Sequence, residues 1–193
     1  MTKQKKSAGQ LQIMHYGAPC LRRQSARIAK VTLELKALAK EMETLMHQVE
    51  GVGLAANQVG VEKQLAVIDV GEGPIYLINP KIVQQEGELA GIEGCLSLPG
   101  LYGEVIRAEK VTVTATNLSG KPVKIAADGL LAKALQHEVD HLQGKLFIDR
   151  VDESTLHWLI RPSTGETGEK AEPIIQPTTL QDALRVFTSR GGA

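Results

Sequence analysis

The sequence predicts an α+β domain in which antiparallel or mixed β-sheets pack around one central helix. Three observations carry this. Apolar residues recur at helical spacing in two stretches with start and stop signals, residues 32–50 and 128–144. The span between them breaks into short β-rich runs separated by Gly, Pro and Asn. Those runs do not alternate with helices, as a doubly wound parallel sheet would require. The 193 residues suit one domain, residues 1–160, with a tail at 161–193.

Residues 1–10 are polar and basic and are expected to fray. Leu11 to Met14 is a short apolar run, and Tyr16-Gly17-Ala18-Pro19 reads as a turn into Cys20-Leu21-Arg22. Cys20 follows a proline with no His or acid beside it and reads as a small buried hydrophobe. From Thr32 to about Glu50, Leu35, Leu38, Met42, Leu45, Met46 and Val49 form the apolar face of a packing helix, with Thr32 as N-cap and Gly51 as stop. Next comes Gly51-Val52-Gly53-Leu54-Ala55-Ala56-Asn57-Gln58, whose bare backbone suits either a tight turn or a strand edge that pairs with an extended peptide. It lacks the Lys-Ser/Thr ending of a phosphate loop.

Strands are expected at Gln64 to Val70, at Ile75 to Asn79, and, after Pro80, at Lys81 to Gln85. Gly91 to Gly100 reads as a loop bearing Cys95, and Glu104 to Thr116 as one long strand. A turn at Asn117 to Gly120 leads into a strand at Val123 to Ala127. Asp128 then opens the second helix and Gly144 closes it. Beyond a short Glu153 to Ile160 segment, Pro162 and a Pro-, Gly-, Thr- and charge-rich stretch predict a disordered tail, with room for a short helix at 180–187. Its removal is expected to leave the domain intact.

Composition narrows the function. Equal numbers of acidic and basic residues give zero formal net charge, so no direct nucleic-acid binding through bulk charge is expected. No run approaches the roughly 18 apolar residues of a membrane span, and the N-terminus lacks the apolar core of a signal peptide. A cytoplasmic protein, bacterial or organellar, without membrane contact is expected. Cys20 and Cys95 do not form a disulfide framework.

The chemistry is concentrated in Gln136-His137-Glu138-Val139-Asp140-His141, a His-Glu-x-x-His pattern on the second helix. One helical turn puts His137 and His141 on one face, where both imidazoles can bind a single metal ion beside the Glu138 carboxylate. A third ligand is needed: Glu153, His157 and Glu166 are candidates downstream, Cys95 upstream. Asp140, between the histidines, and Arg107, the cation following the Cys95 loop, are expected to pair behind the site.

Together the Gly51-to-Gln58 stretch, Glu93-Gly94-Cys95-Leu96-Ser97 and Gln136-to-His141 resemble the three signature motifs of peptide deformylase, in that family's order and at similar separations. The resemblance covers roughly Leu11 to Val151. It implies that Cys95, His137 and His141 hold a divalent metal, and that an activated water attacks the formyl carbon of N-formyl-methionyl peptides, releasing formate. Glu138 would act as general acid and base, with Gln58 and the Leu96 backbone N–H facing the oxyanion. The peptide would lie as an added strand along Gly51, Val52, Gly53 and Leu54. Ligand softness alone reads as zinc; the resemblance implies Fe(II), with Zn(II), Ni(II) or Co(II) as substitutes, and the ribosome as a partner during translation.

Overall fold

The computed structural model describes residues 11–160 and 172–190. Helix α1 (Leu33–Gln48) begins where the Thr32 hydroxyl accepts a hydrogen bond from the Leu35 N–H at 3.2 Å. Leu35, Ala39, Met42 and Met46, spaced three or four apart, bury one face of it. The helix stops two residues short of the expected Glu50, because Glu50 itself takes a left-handed conformation (φ 54°) and the Gly51 N–H closes onto the Met46 carbonyl.

Two antiparallel sheets follow. The larger has the strand order β1 (Gly53–Ala55), β2 (Leu65–Ile68), β3 (Ile75–Glu86), β6 (Lys110–Thr116), β7 (Pro122–Asp128). The smaller has the order β4 (Leu89–Cys95), β5 (Leu98–Arg107), β8 (His157–Ile160), β9 (Ile174–Pro177). Helix α2 (Gly129–Leu142) lies on the larger sheet, where Ala132, Leu135 and Leu142 pack against Ile68, Leu77, Val111 and Val113. Asp128 stands at its N-cap position without a side-chain capping bond.

Three strand boundaries differ from the sequence expectation, each for a local reason. The two strands expected around Pro80 are one. Asn79 sits at φ 53°, and its amide side chain holds the Ile28 N–H and C=O at 2.8 Å each. The ladder with β6 skips from Ile78 to Lys81, so Pro80 falls in a bulge where no ladder N–H is needed. The expected loop at residues 91–100 is a β-hairpin whose turn is Leu96-Ser97, with Cys95 opposite Leu98. The expected strand at 104–116 is two, in different sheets. At the crossover the Gln136 side-chain amide donates to the Ala108 carbonyl at 2.9 Å and accepts from its N–H at 3.0 Å. Helix α2 thereby satisfies a backbone that has left one ladder and not yet joined the next.

The tail keeps the helix expected at 180–187 and departs from the disorder expected around it. Its residues 172–190 are ordered: β9 extends the smaller sheet, and helix α3 (Leu180–Arg190) buries Ala183 and Phe187 against Leu21, Leu98, Leu101 and Phe147. The apolar set Leu180, Ala183, Leu184 and Phe187 is a packing face, which outweighs the disorder-prone composition before it. The expected disorder of residues 161–171 and fraying of residues 1–10 lie outside the described residues. Among the described residues no helix is long and apolar enough to cross a membrane.

Candidate active site

The C-terminal half of α2 holds the site. His137 and His141, one turn apart, bring their Nε2 atoms to 3.1 Å, and Cys95 at the end of β4 places Sγ 3.3 Å from His141 Nε2. The three ligand atoms lie within 4.8 Å of one another, and no other group of this kind occurs among the described residues. Of the downstream candidates, His157 stacks on Tyr102 and bonds the Thr155 carbonyl, Glu153 lies on the surface, and Glu166 is outside the described residues.

These donors fit a divalent metal. His137 Nδ1 faces Glu93 Oε2 at 2.9 Å, which fixes that nitrogen as the proton donor and leaves Nε2 free to ligate. Burial disfavours a charged imidazole, yet the hydrogen bonds to Cys95 and Glu93 outweigh it and hold His137 up to about 10. The sulfur and carboxylate around His137 favour positive charge against burial, surroundings that suit a bound cation in the place of the second imidazole proton. Burial and the adjacent His137 charge hold His141 well below its ordinary value, in the neutral form a ligand requires. A thiolate and two imidazoles are a donor set for a borderline or soft divalent ion.

Glu138 is buried beside the cluster, and Oε2 has no hydrogen-bond partner among the described residues. Desolvation pushes its carboxyl up to about 7. It lies hard against β1: a Cβ on Gly53 would stand 2.3 Å from Glu138 Oε1. Gln58, also buried, accepts the Ala55 N–H on Oε1 at 2.9 Å, so its Nε2 must point the other way, 3.5 Å from Cys95 Sγ and 3.2 Å from Ser97 Oγ.

These groups line a cavity of about 540 Å³ whose walls include Gly51, Val52, Gly53, Leu96 and Leu130. Strand β1 is an edge of its sheet, paired only with β2, so its other side opens on this cavity. Strand alternation turns the Leu54 side chain into the core with Met42 and Met46, which leaves its backbone as the part of it that lies along the strand edge.

Behind the histidines lies a buried charge network. Arg107 donates to Asp140 Oδ2 at 2.6 Å, and to both Glu93 oxygens at 2.7 and 2.9 Å. Arg150 donates twice to Asp140, at 2.7 and 2.9 Å. Although burial raises the Glu93 pKa, Arg107 and His137 overcome it and bring the carboxyl down to about 2. Sequence reasoning assigned no role to Glu93 or Arg150. Glu93 had one signal, its place in the Glu93-to-Ser97 motif two residues before Cys95, but with that segment read as a loop the direction of its side chain was not legible. Arg150 had none, being placed by the turn after α2.

The sequence pattern of one family, Polypeptide deformylase, matches residues 10–157. The peptide deformylase of Halothermothrix orenii is 52% identical over 143 residues, 73% of this chain and 93% of that protein. Among solved structures, a Synechococcus elongatus peptide deformylase in complex with actinonin superposes with a TM-score of 0.73 at 43% identity, over 79% of this chain and 85% of that one. The Thermotoga maritima peptide deformylase gives 0.73 at 37% identity, over 75% of this chain and 99% of the other. A Cys-His-His cluster beside a buried glutamate, on a fold and sequence shared with these proteins, identifies the chain as a member of the polypeptide deformylase family.

Proposed function

We infer that this chain hydrolyses the N-formyl group from the initiator formyl-methionine of nascent polypeptides, releasing formate and a free amine. The observation that carries the reading is the cluster of Cys95 Sγ with the Nε2 atoms of His137 and His141, at a cavity that Cys95, His137 and Glu138 line together. Held by Cys95, His137 and His141, a divalent ion would supply Lewis acidity at the formyl group and a water of pKa about 7. Family membership supports Fe(II) as the native ion, with Zn(II), Ni(II) or Co(II) as substitutes.

The protein's own groups do the rest. Glu138, near neutrality in pKa, takes a proton from the attacking water and returns it to the departing amine nitrogen, so the proton count balances. Gln58 Nε2 and the Leu96 N–H donate to the oxygen that gains charge, each such donor being worth about 3 kcal/mol in the transition state. The peptide pairs with the open side of Gly51 to Gly53 as an added strand, and the apolar wall near Val52 and Leu130 receives the methionine side chain. The setting that supplies such substrates is a bacterial or organellar interior where chains start with formyl-methionine, with the ribosome as neighbour.

A formyl group carries hydrogen where acetyl carries methyl, and on this reading the methyl would crowd the reacting centre beside Glu138, which is already in close approach to Gly53. Pocket discrimination of this kind reaches about 100-fold. Protein purified anaerobically, with its metal content measured, should release formate from a formyl-methionyl peptide with kcat/KM at least about 100-fold above an acetyl-methionyl analogue. Comparable rates on the two, or cleavage of internal peptide bonds, would indicate a general amidase or protease.

A further inference from the structure

The family match ends at residue 157, yet the segment beyond it reaches back toward the site. Phe187 of α3, 5% exposed, packs on Trp158 with ring centroids 5.5 Å apart and on Tyr16 at 6.2 Å. The Arg22 guanidinium covers Tyr16, 5.8 Å from its ring centre, and is itself tied to Asp149. Tyr16 is therefore held between Phe187 from the far end of the chain and Arg22 from the turn that follows it. The backbone around it is what matters: the Tyr16 N–H donates to the Ser97 carbonyl at 2.9 Å, and the Met14 N–H donates to the Gln58 carbonyl at 2.7 Å. Residues 14–16 form a strap between the turn that carries Leu96 and the turn that carries Gln58. Ring packing also reaches the hairpin directly, since Cys95 and Leu98 adjoin the same apolar cluster as Ala183 and Phe187.

We propose that Phe187 is a positioning residue: α3 clamps Tyr16, and the strap at residues 14–16 sets the spacing between Gln58 and the Leu96 turn that face the oxyanion. A hydrogen bond from each end of a short extended segment makes that spacing a fixed length, provided the segment is pinned. Unpinned, the two turns, which adjoin strands of different sheets, keep the contacts of the Gln58 side chain to Cys95 Sγ and Ser97 Oγ but lose the backbone length that sets their spacing. Displacements of about 1 Å among such groups cost up to about 100-fold in rate, while ground-state peptide pairing along β1 is left in place.

The proposal rests on the deformylase reading, and the test separates the two. Metal-loaded wild type, Phe187→Ala and Phe187→Leu would be compared with Val113→Ala, a cavity variant in the other core chosen to match the fall in Tm. On a formyl-methionyl peptide, Phe187→Ala should lose at least about 10-fold in kcat with KM within about 2-fold, Phe187→Leu should recover most of it, and Val113→Ala should keep its kcat. In the same samples, amide exchange at Met14 and Tyr16 should quicken in Phe187→Ala alone. Equal kcat in Phe187→Ala and Val113→Ala, or unchanged exchange at Met14 and Tyr16, overturns the clamp. Absence of formate release by wild type overturns the deformylase reading, while exchange at the two amides still judges whether α3 pins the strap.

Discussion

At the scale of single residues, the site depends on which side chains can carry charge. Serine in place of Cys95 swaps a soft thiolate for a poor ligand, so Cys95→Ser should lose most of its bound metal on dialysis; full retention would remove Cys95 from the ligand set. Glu138→Gln keeps the shape of the side chain and abolishes its proton transfer. Its kcat should fall about 10²- to 10⁴-fold with the metal still present. Glu93 makes a prediction about pH. Its folded pKa of about 2 lies below the ordinary 4.5, so the folded state holds fewer protons than the unfolded one between those values. The stabilisation is complete above about pH 4.5 and is lost as pH falls toward 2, on the order of 3 kcal/mol. Asp140 is lowered too, by Arg150 and Arg107 acting against its burial, and adds with the same sign. Urea unfolding from pH 6 to 2.5 should show Glu93→Gln less stable than wild type at pH 6, with most of that difference gone by pH 2.5.

Between elements, close approach decides function. Strand β1 and helix α2 meet at Gly53, where any Cβ would overlap the Glu138 carboxylate. Gly53→Ala should therefore keep its fold, at a cost of about 1–3 kcal/mol, while kcat/KM drops by about 100-fold because Glu138 is pushed aside. Normal turnover in Gly53→Ala would mean that Glu138 does not act from this position. Much of the site was legible at this scale, because His137 and His141 share a helix and their relation follows from backbone geometry alone. The hairpin was not. Glycines at 91, 94 and 100 look like loop punctuation, yet Gly94 is there because the Tyr102 ring lies where its Cβ would be, 2.5 Å away. A glycine required by a neighbour across a sheet cannot be told from a turn glycine without that neighbour.

For the whole molecule, the tail is part of the fold. Truncation after Ile160 would uncover Leu21, Leu98, Leu101 and Trp158, reversing the tolerance expected from composition. Loss of a buried Phe contact alone costs about 3–5 kcal/mol, and each kcal/mol is worth about 2–4 °C in a chain of this size, so Tm should fall by at least about 6 °C. An unchanged Tm would show that α3 contributes nothing to the core.

By itself the sequence determined what depends on neighbours along the chain: the Thr32 cap, the burial stripes of α1 and α2, the one-turn spacing of His137 and His141, and the family motifs. Charge chemistry also pointed to Arg107 and Asp140, which meet at 2.6 Å. The motifs already named Cys95 as a ligand; only the tertiary structure placed its Sγ 3.3 Å from His141 Nε2, brought Glu93 and Arg150 into the charge network, and set α3 against Tyr16. The reason is physical. Hydrophobic period and capping specify which face of an element is apolar, but not which other apolar face it will meet, and that choice is made by packing the whole chain at once.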